Sequence, residues 1–351
     1  MTTKSEYLED KDISASNAQQ PLLEVVNLHT HFNTPRGVAK AVDGVSFTLE
    51  RGRMIGIVGE SGSGKSVLSR TIIDILPHDG SVSYGGQILF EGKDIRTLPQ
   101  ADMREIRGRD IAMVFQDPMT SLNPVMKIGK QITEVLTIRR GVTKEDAKDR
   151  AIELLAAVGI PDPRQQLDRF PMHLSGGMRQ RVAIAIALAG DPKLLIADEP
   201  TTALDVSIQA QILTLLRKLQ TERNMAVIII SHNLGIISEY ADDVAVMYAG
   251  QIVENCETRR ILDSPRMPYT EALLQSAPSL SAPRGTRLKT ISGLPPSVLD
   301  FPTGCRFHER CTYRKPVCET DMPVLSSIAA DTDADHLCAC WFPLEHKGSS
   351  A

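Results

Sequence analysis

Short, wholly apolar runs alternate with longer stretches of helical spacing along most of this chain. Arg53 to Val58 (RMIGIV) is apolar on both faces and runs straight into Gly59, the pattern of a buried parallel strand. Ser66 to Leu76 follows, with Leu68, Ile72 and Ile75 at helical spacing. Leu194 to Ala197 and Ala226 to Ile230 are two further buried-strand candidates, and each stops abruptly at polar residues. Between them, Ser121 to Gly190 reads as largely helical. Lys144 to Val158 puts Ala147, Ala151, Leu154, Leu155 and Val158 on one face, with Gly159 placed to cap its end. Arg181 to Ala189 (RVAIAIALA) is apolar nearly all round, as a buried helix is. Strands alternating with helices predict an α/β domain with a mainly parallel sheet and a helical insertion over about residues 120–190. In such sheets ligands bind beyond the carboxyl ends of the strands, where the polar residues lie.

The ends of the chain have a different texture. Met1 to Gln20 is polar, without the apolar core of a signal peptide, and predicts a disordered arm. From about Pro265 the chain grows rich in proline and serine, which marks a linker and a small C-terminal module over 265–351, after a main domain over 21–264. The 351 residues suffice for this arrangement. With 42% hydrophobic and 23% charged residues, the composition is that of a soluble globular protein. The net charge of -4 lacks the basic excess expected of a nucleic-acid binder. No apolar run reaches the roughly 18–20 residues that span a bilayer, so the expected location is cytosolic.

Gly59 to Ser66 reads GESGSGKS and fits the phosphate-loop pattern G-x-x-x-x-G-K-[ST]. The glycines let backbone N–H groups close around phosphate oxygens, and the following helix points its positive end at them. Lys65 is then the residue for the β- and γ-phosphates and Ser66 a ligand of Mg²⁺. A glycine turn with an incidental lysine is the bland alternative, and the strand before and helix after count against it. Leu194 to Glu199 (LLIADE) delivers two carboxylates at a strand tip: Asp198 suits a site near Mg²⁺, and Glu199 one beside the attacking water. Acidic residues also end strands for no chemical reason, so this pair gains its meaning from the phosphate loop. Leu174 to Gln180 (LSGGMRQ) places Ser175, Gly176 and Gly177 at a helix start, a second anion site or simply a serine N-cap followed by glycines.

Two phosphate-binding helix starts in one nucleotide domain resemble the ABC ATPase family, whose signature is LSGGQ. Met178 stands where the usual glutamine would be, a difference common among the family's peptide importers. The resemblance implies that Gly59, Glu60, Ser61, Gly62, Ser63, Gly64, Lys65, Ser66 and Val67 bind ATP. It further implies that Gln116 (in VFQDP) touches Mg²⁺ and water and contacts transmembrane subunits. Thr202 to Asp205 (TALD) resembles the loop that communicates across the nucleotide dimer, His232 the switch histidine at the γ-phosphate, and Phe32 the aromatic that stacks on adenine. A lone histidine after a strand is otherwise structural, and a Phe is by default a core residue. Because each motif occurs once, the working unit is expected to be a dimer, with the phosphate loop of one chain facing the signature of another.

The segment Phe115 to Ile132, the residues Pro268, Tyr269 and Thr270 with Ala272-Leu273-Leu274, and the tail from Gly293 resemble the ATPase subunits of dipeptide and oligopeptide importers. That likeness implies a peripheral location on the cytoplasmic face of the inner membrane. Its expected partners are a second ATPase chain, two permeases and, indirectly, an external binding protein. Nickel, glutathione and opine importers share these features. None of the six cysteines precedes Cys256, and five lie between Cys305 and Cys340. A cytosolic chain does not hold these as structural disulfides. Intervals of five and six residues separating Cys305, Cys311 and Cys318 are not those of common zinc sites. Spacing alone leaves zinc, an iron–sulfur cluster and inert thiols open. The family resemblance implies a [4Fe-4S] cluster on Cys305, Cys311, Cys318 and Cys340, with Cys338 close enough to Cys340 to compete as fourth ligand.

Two other classes compete. A soluble ABC ATPase of translation or DNA repair would usually carry two nucleotide domains or a long coiled-coil insertion, and neither is evident. An iron–sulfur redox enzyme with an incidental ATP site would not need every hydrolysis motif.

Overall fold

A computed structural model describes residues 20–117, 121–202, 204–276, 290–328 and 335–345. The expected N-terminal arm lies outside them, apart from Gln20. Two antiparallel strands come first, β1 (Leu23–Thr34) and β2 (Gly37–Leu49). They are followed by β3 (Met54–Val58) and α1 (Lys65–Ile72). Next are β4 (Val82–Phe90), β5 (Lys93–Asp94), α2 (Gln100–Ile106) and β6 (Ile111–Val114). The helical insertion contains α3 (Ile128–Arg140), α4 (Lys144–Ala157), α5 (Pro163–Gln166) and α6 (Gly176–Ala189). The chain then returns through β7 (Leu194–Asp198), α7 (Val206–Arg223), β8 (Ala226–Ser231), α8 (Leu234–Ile237), β9 (Asp243–Tyr248) and β10 (Gln251–Glu257). It ends with α9 (Thr258–Asp263), α10 (Pro268–Ser276), α11 (Val317–Thr320), β11 (Ser326–Ser327) and β12 (Leu337–Cys338).

The strands form two sheets. One is antiparallel, in the order β2-β1-β4-β5; the other has the order β11-β12-β10-β9-β3-β8-β7-β6. Its stretch from β9 to β6 is parallel, and β10, β12 and β11 add an antiparallel edge. All five residues of β3 and of β7 are buried, which is why 54–58 and 194–197 read as unbroken apolar runs, with Asp198 the buried polar end of β7. β8 lies between them in register, pairing Val58 with Ser231 and Asp198 with Ile230. The three carboxyl ends therefore open at one place.

Local signals explain the helices. Thr143 caps α4 by accepting from the Asp146 N–H, and Glu145 and Asp146 sit in its first turn, where the helix dipole favours negative charge. Ala147, Ala151, Leu154, Leu155 and Val158 are all buried, and Gly159 follows the helix with positive φ. α1 is shorter than its sequence spacing predicts. It ends at Ile72, Asp74 turns left-handed, and Ile75 is exposed at the surface.

The C-terminal segment also differs from expectation. At its start the chain is packed: Arg266, Met267, Pro268, Tyr269 and Thr270 are buried, and residues 277–289 of the expected linker lie outside the described residues. The Glu254 carboxylate, 0% exposed, accepts from the backbone N–H groups of Arg266 and Met267 and pairs with His336 at 2.7 Å. Glu254 also lies opposite Cys338 in the β10–β12 ladder. Cys305, Phe307, Cys318 and Cys338 join the same apolar core as β3, β7 and the helical insertion. Around Pro265 the chain is not solvated, because a buried glutamate satisfies the N–H groups of Arg266 and Met267 that would otherwise turn to water.

Candidate functional site

The phosphate loop lies between β3 and α1. Gly59 and Gly64 are required by close approach as well as by φ. A Cβ at Gly59 would stand 2.1 Å from the Met247 carbonyl oxygen, and one at Gly64 2.1 Å from that of Ala41. The Lys65 Nζ turns back into the loop, donating to the carbonyls of Gly59 (2.8 Å) and Glu60 (2.7 Å) and contacting Ser63 Oγ at 3.3 Å. Burial pushes its ammonium down in pKa, opposed by the carboxylates of Glu199, Asp198 and Glu60. The loop thus holds one positive charge among backbone dipoles, ready for an anion.

Beside it the Ser66 hydroxyl donates to Asp198 Oδ1 at 2.9 Å. Asp198 is fully buried, and its Oδ2 has no hydrogen-bond partner. Burial pushes this carboxyl up, with Glu199 acting the same way, while Ser66, Arg70 and Lys65 pull it down. A buried, orphaned carboxylate oxygen next to a hydroxyl is the donor set of a hard divalent cation, so Ser66 and Asp198 fit Mg²⁺.

Glu199 follows Asp198 with φ of 46°, a left-handed conformation that a non-glycine residue adopts only under constraint. Its Oε2 accepts from the Gln116 amide at 2.8 Å and from the Thr202 hydroxyl at 2.9 Å. The His232 Nδ1 stands 3.8 Å from Oε1. Gln116 follows β6, Glu199 follows β7 and His232 follows β8, so three adjacent strand ends bring together residues far apart in sequence. Asp205 stands at the N-cap position of α7 without a side-chain capping hydrogen bond, and Phe32 lies half-buried on β1 opposite Ala39 and Val82.

Ser175, Gly176 and Gly177 sit elsewhere. The Ser175 hydroxyl accepts from the Met178 N–H as an N-cap, and the two glycines pack close to Leu204 and Ile208. A Cβ on Gly177 would come within 2.9 Å of Ile208 Cγ2. Among the described residues they make no hydrogen bond to the phosphate loop or to Glu199.

Cys305, Cys311, Cys318 and Cys340 line one cavity, together with Pro268, Phe307 and Trp341. Burial raises the thiols of Cys305, Cys311 and Cys340, the last to about 12, and each is raised further by neighbouring cysteines of the set. Cys338 is buried outside that lining, with Glu254, Cys340 and Cys256 adding to its raised pKa. Four cysteines around one space offer the donor chemistry of a thiolate-bound metal centre, whose positive charge would deprotonate them.

Several contacts had no signal in the motifs. Arg310, between Cys305 and Cys311, forms a bidentate pair with Glu60 of the phosphate loop at 2.6 and 3.0 Å. The Tyr269 hydroxyl accepts from the Glu60 N–H at 2.9 Å. Arg306 pairs with Asp43, which also contacts His29 at 3.1 Å and His31 at 2.9 Å. The only hint in the sequence is that both arginines sit directly beside cysteines.

The sequence matches the family described as "ABC transporter" over residues 42–202, and that described as "Oligopeptide/dipeptide transporter, C-terminal region" over 253–318. It is 53% identical to the oligopeptide transport ATP-binding protein of Bacillus subtilis (strain 168), over 83% of this chain and 82% of that protein. It is 44% identical to the dipeptide transport ATP-binding protein of Escherichia coli (strain K12), over 93% and 98%. A dimeric ATP-binding cassette in a post-hydrolysis state, bound to ADP and Pi, superposes with a TM-score of 0.60 at 26% identity. That likeness covers 68% of this chain and 99% of the other.

Proposed function

The chain belongs to the ABC transporter family as an ATP-binding subunit of the oligopeptide and dipeptide type, and from that premise we propose that it powers peptide import through a composite ATP site shared with a second ATPase chain. The observation that carries the catalytic reading is the junction of Gln116 and Glu199 beside Lys65, Ser66 and Asp198. Lys65 binds the β- and γ-phosphates, replacing its present carbonyl partners with phosphate oxygens. Glu199, held by Gln116 and Thr202, orients water for in-line attack on the γ-phosphorus and accepts its proton. His232, which is exposed, reaches the γ-phosphate. Phe32 packs on the adenine. Mg²⁺, held by Ser66, Asp198 and Gln116, would neutralise charge on the phosphate oxygens.

The signature Ser175 to Gly177 serves the nucleotide of a partner chain, since among the described residues it makes no hydrogen bond to the phosphate loop of its own chain. Asp205 belongs to the loop that resembles the one communicating across such a dimer. The dimeric cassette bound to ADP and Pi supports pairing of this kind. ATP binding then closes two chains, and hydrolysis opens them. Coupling runs to two permeases at the cytoplasmic face of the membrane, fed by an external binding protein. No helix among the described residues is long and apolar enough to cross a membrane. The names of the peptide-transport relatives favour peptides over nickel, glutathione or opines as cargo. Cys305, Cys311, Cys318 and Cys340 hold a [4Fe-4S] cluster, a reading supported by their common cavity, from which Cys338 is excluded.

The catalytic reading is tested by Glu199→Gln in the assembled transporter. ATP binding is retained, and turnover falls by roughly 10²–10⁴-fold. Undiminished ATP turnover would remove Glu199 from the mechanism.

A further inference from the structure

Glu60 is the second residue of the phosphate loop, and three separate contacts fix it. Its backbone oxygen accepts from Lys65 Nζ at 2.7 Å, and its N–H donates to the Tyr269 hydroxyl at 2.9 Å. Its carboxylate receives both terminal nitrogens of Arg310. A loop that serves only to cradle phosphate has no need of the last two.

Both outer tethers come from residues directly beside the wall of the cysteine cavity in sequence. Arg310 adjoins Cys311, and Tyr269 adjoins Pro268, both of them lining residues. The Tyr269 ring also stacks near Tyr248 (centroids 4.5 Å apart) and Phe307 (5.3 Å), the latter another lining residue. The Arg310 side chain is 4% exposed, and its remaining donors go to the Ser292 carbonyl at 2.8 Å and the Tyr248 hydroxyl at 3.2 Å. A buried guanidinium so committed cannot follow Glu60 if the loop moves; loop and cavity wall must move together.

We propose that Arg310, assisted by Tyr269, is a positioning residue for nucleotide binding: it joins the wall of the cysteine cavity to Glu60, and through Glu60 to Lys65, so that the state of the cavity sets the affinity for MgATP. The joint itself needs only side chains of this chain. Its response to metal occupancy rests on the cluster reading above. By thermodynamic linkage the influence is reciprocal, and bound nucleotide holds the cavity wall in return.

The test measures MgATP dissociation constants of the full-length chain, wild type against Arg310→Gln, Glu60→Gln and the double variant, with iron and sulfide content read in parallel. Each single change is expected to raise Kd about tenfold, within the range of ordinary site-to-site coupling. The double variant should be within about twofold of either single, because both remove one interaction. Single effects below twofold, or effects that multiply in the double variant, overturn the proposal. If Arg310→Gln does not fold, Glu60→Gln on the half-buried loop side decides alone: an unchanged Kd rejects the joint.

Cys311→Ser supplies the cavity arm and separates this proposal from the metal reading. Loss of iron together with a raised Kd supports both. Loss of iron with unchanged Kd overturns the coupling while leaving the cluster. Wild-type protein without iron overturns the cluster, and the Arg310–Glu60 comparison still decides the joint.

Discussion

The Gln116 amide donates to the Glu199 carboxylate at 2.8 Å, joining the loop after β6 to the tip of β7. Glu199 is therefore held by contacts within its own chain. On the proposed roles, Gln116→Ala should lower kcat for ATP about tenfold, because Glu199 loses its orienting partner, with KM for ATP rising as well because the same amide helps to hold Mg²⁺. Steady-state ATPase assays of the assembled transporter check this. A change confined to KM would contradict the orienting role.

Asp198 presents a different case, because its Oδ2 is buried without a partner. Asp198→Asn keeps the size of the side chain and the Ser66 contact but removes the charge that a cation needs. We expect the gain in ATP affinity on adding Mg²⁺ to vanish, with affinity in EDTA changed less than about threefold. Calorimetric titrations with and without Mg²⁺ distinguish this from general damage to the loop.

Cys338 and Cys340 give a paired comparison. Cys340→Ser should lose most of the iron, whereas Cys338→Ser should retain it, at a stability cost of about 1 kcal/mol for a hydroxyl in a buried thiol position. Iron and sulfide analysis after anaerobic purification reads the first effect, and thermal melting the second. Equal iron loss in both variants would reject the choice of Cys340.

Asp43 carries a pH signature. Burial raises its pKa, but Arg306, with His29 and His31, outweighs that and holds it at about 2. A carboxyl lowered by folding stabilises the protein above its unfolded pKa, and the contribution fades as pH falls from about 4 towards 2. The contribution is on the order of 2 kcal/mol. Urea unfolding of wild type and Asp43→Asn from pH 5 to pH 2.5 should show a stability difference that narrows across the acid end. A pH-independent difference would mean that the Arg306 contact does not act through charge.

The phosphate loop, the strand that delivers Asp198 and Glu199 at its tip, the capped helix at Ser175 and the cysteine set are all legible in the chain. Each of these is written in residues adjacent along the chain, where glycine freedom, apolar burial and helix capping act over a few positions. Lys144 to Val158 declared its buried face for the same reason. Tertiary structure alone decided which groups meet. Gln116 reaches Glu199 because β6 and β7 are neighbours in the parallel sheet, and strand order is not recorded in any local run. The choice of Cys340 over Cys338 as a cavity-lining residue depends on β12 docking against β10. Residues 266–270, read as the start of a linker, are buried, and Glu254 on β10 receives the N–H groups of Arg266 and Met267. Arg310 acquires its partner only when the C-terminal segment folds back over the phosphate loop, closing a contact across 250 positions of sequence. Pairings of that range are fixed by the packing of a shared core, and the sequence near either residue cannot express them.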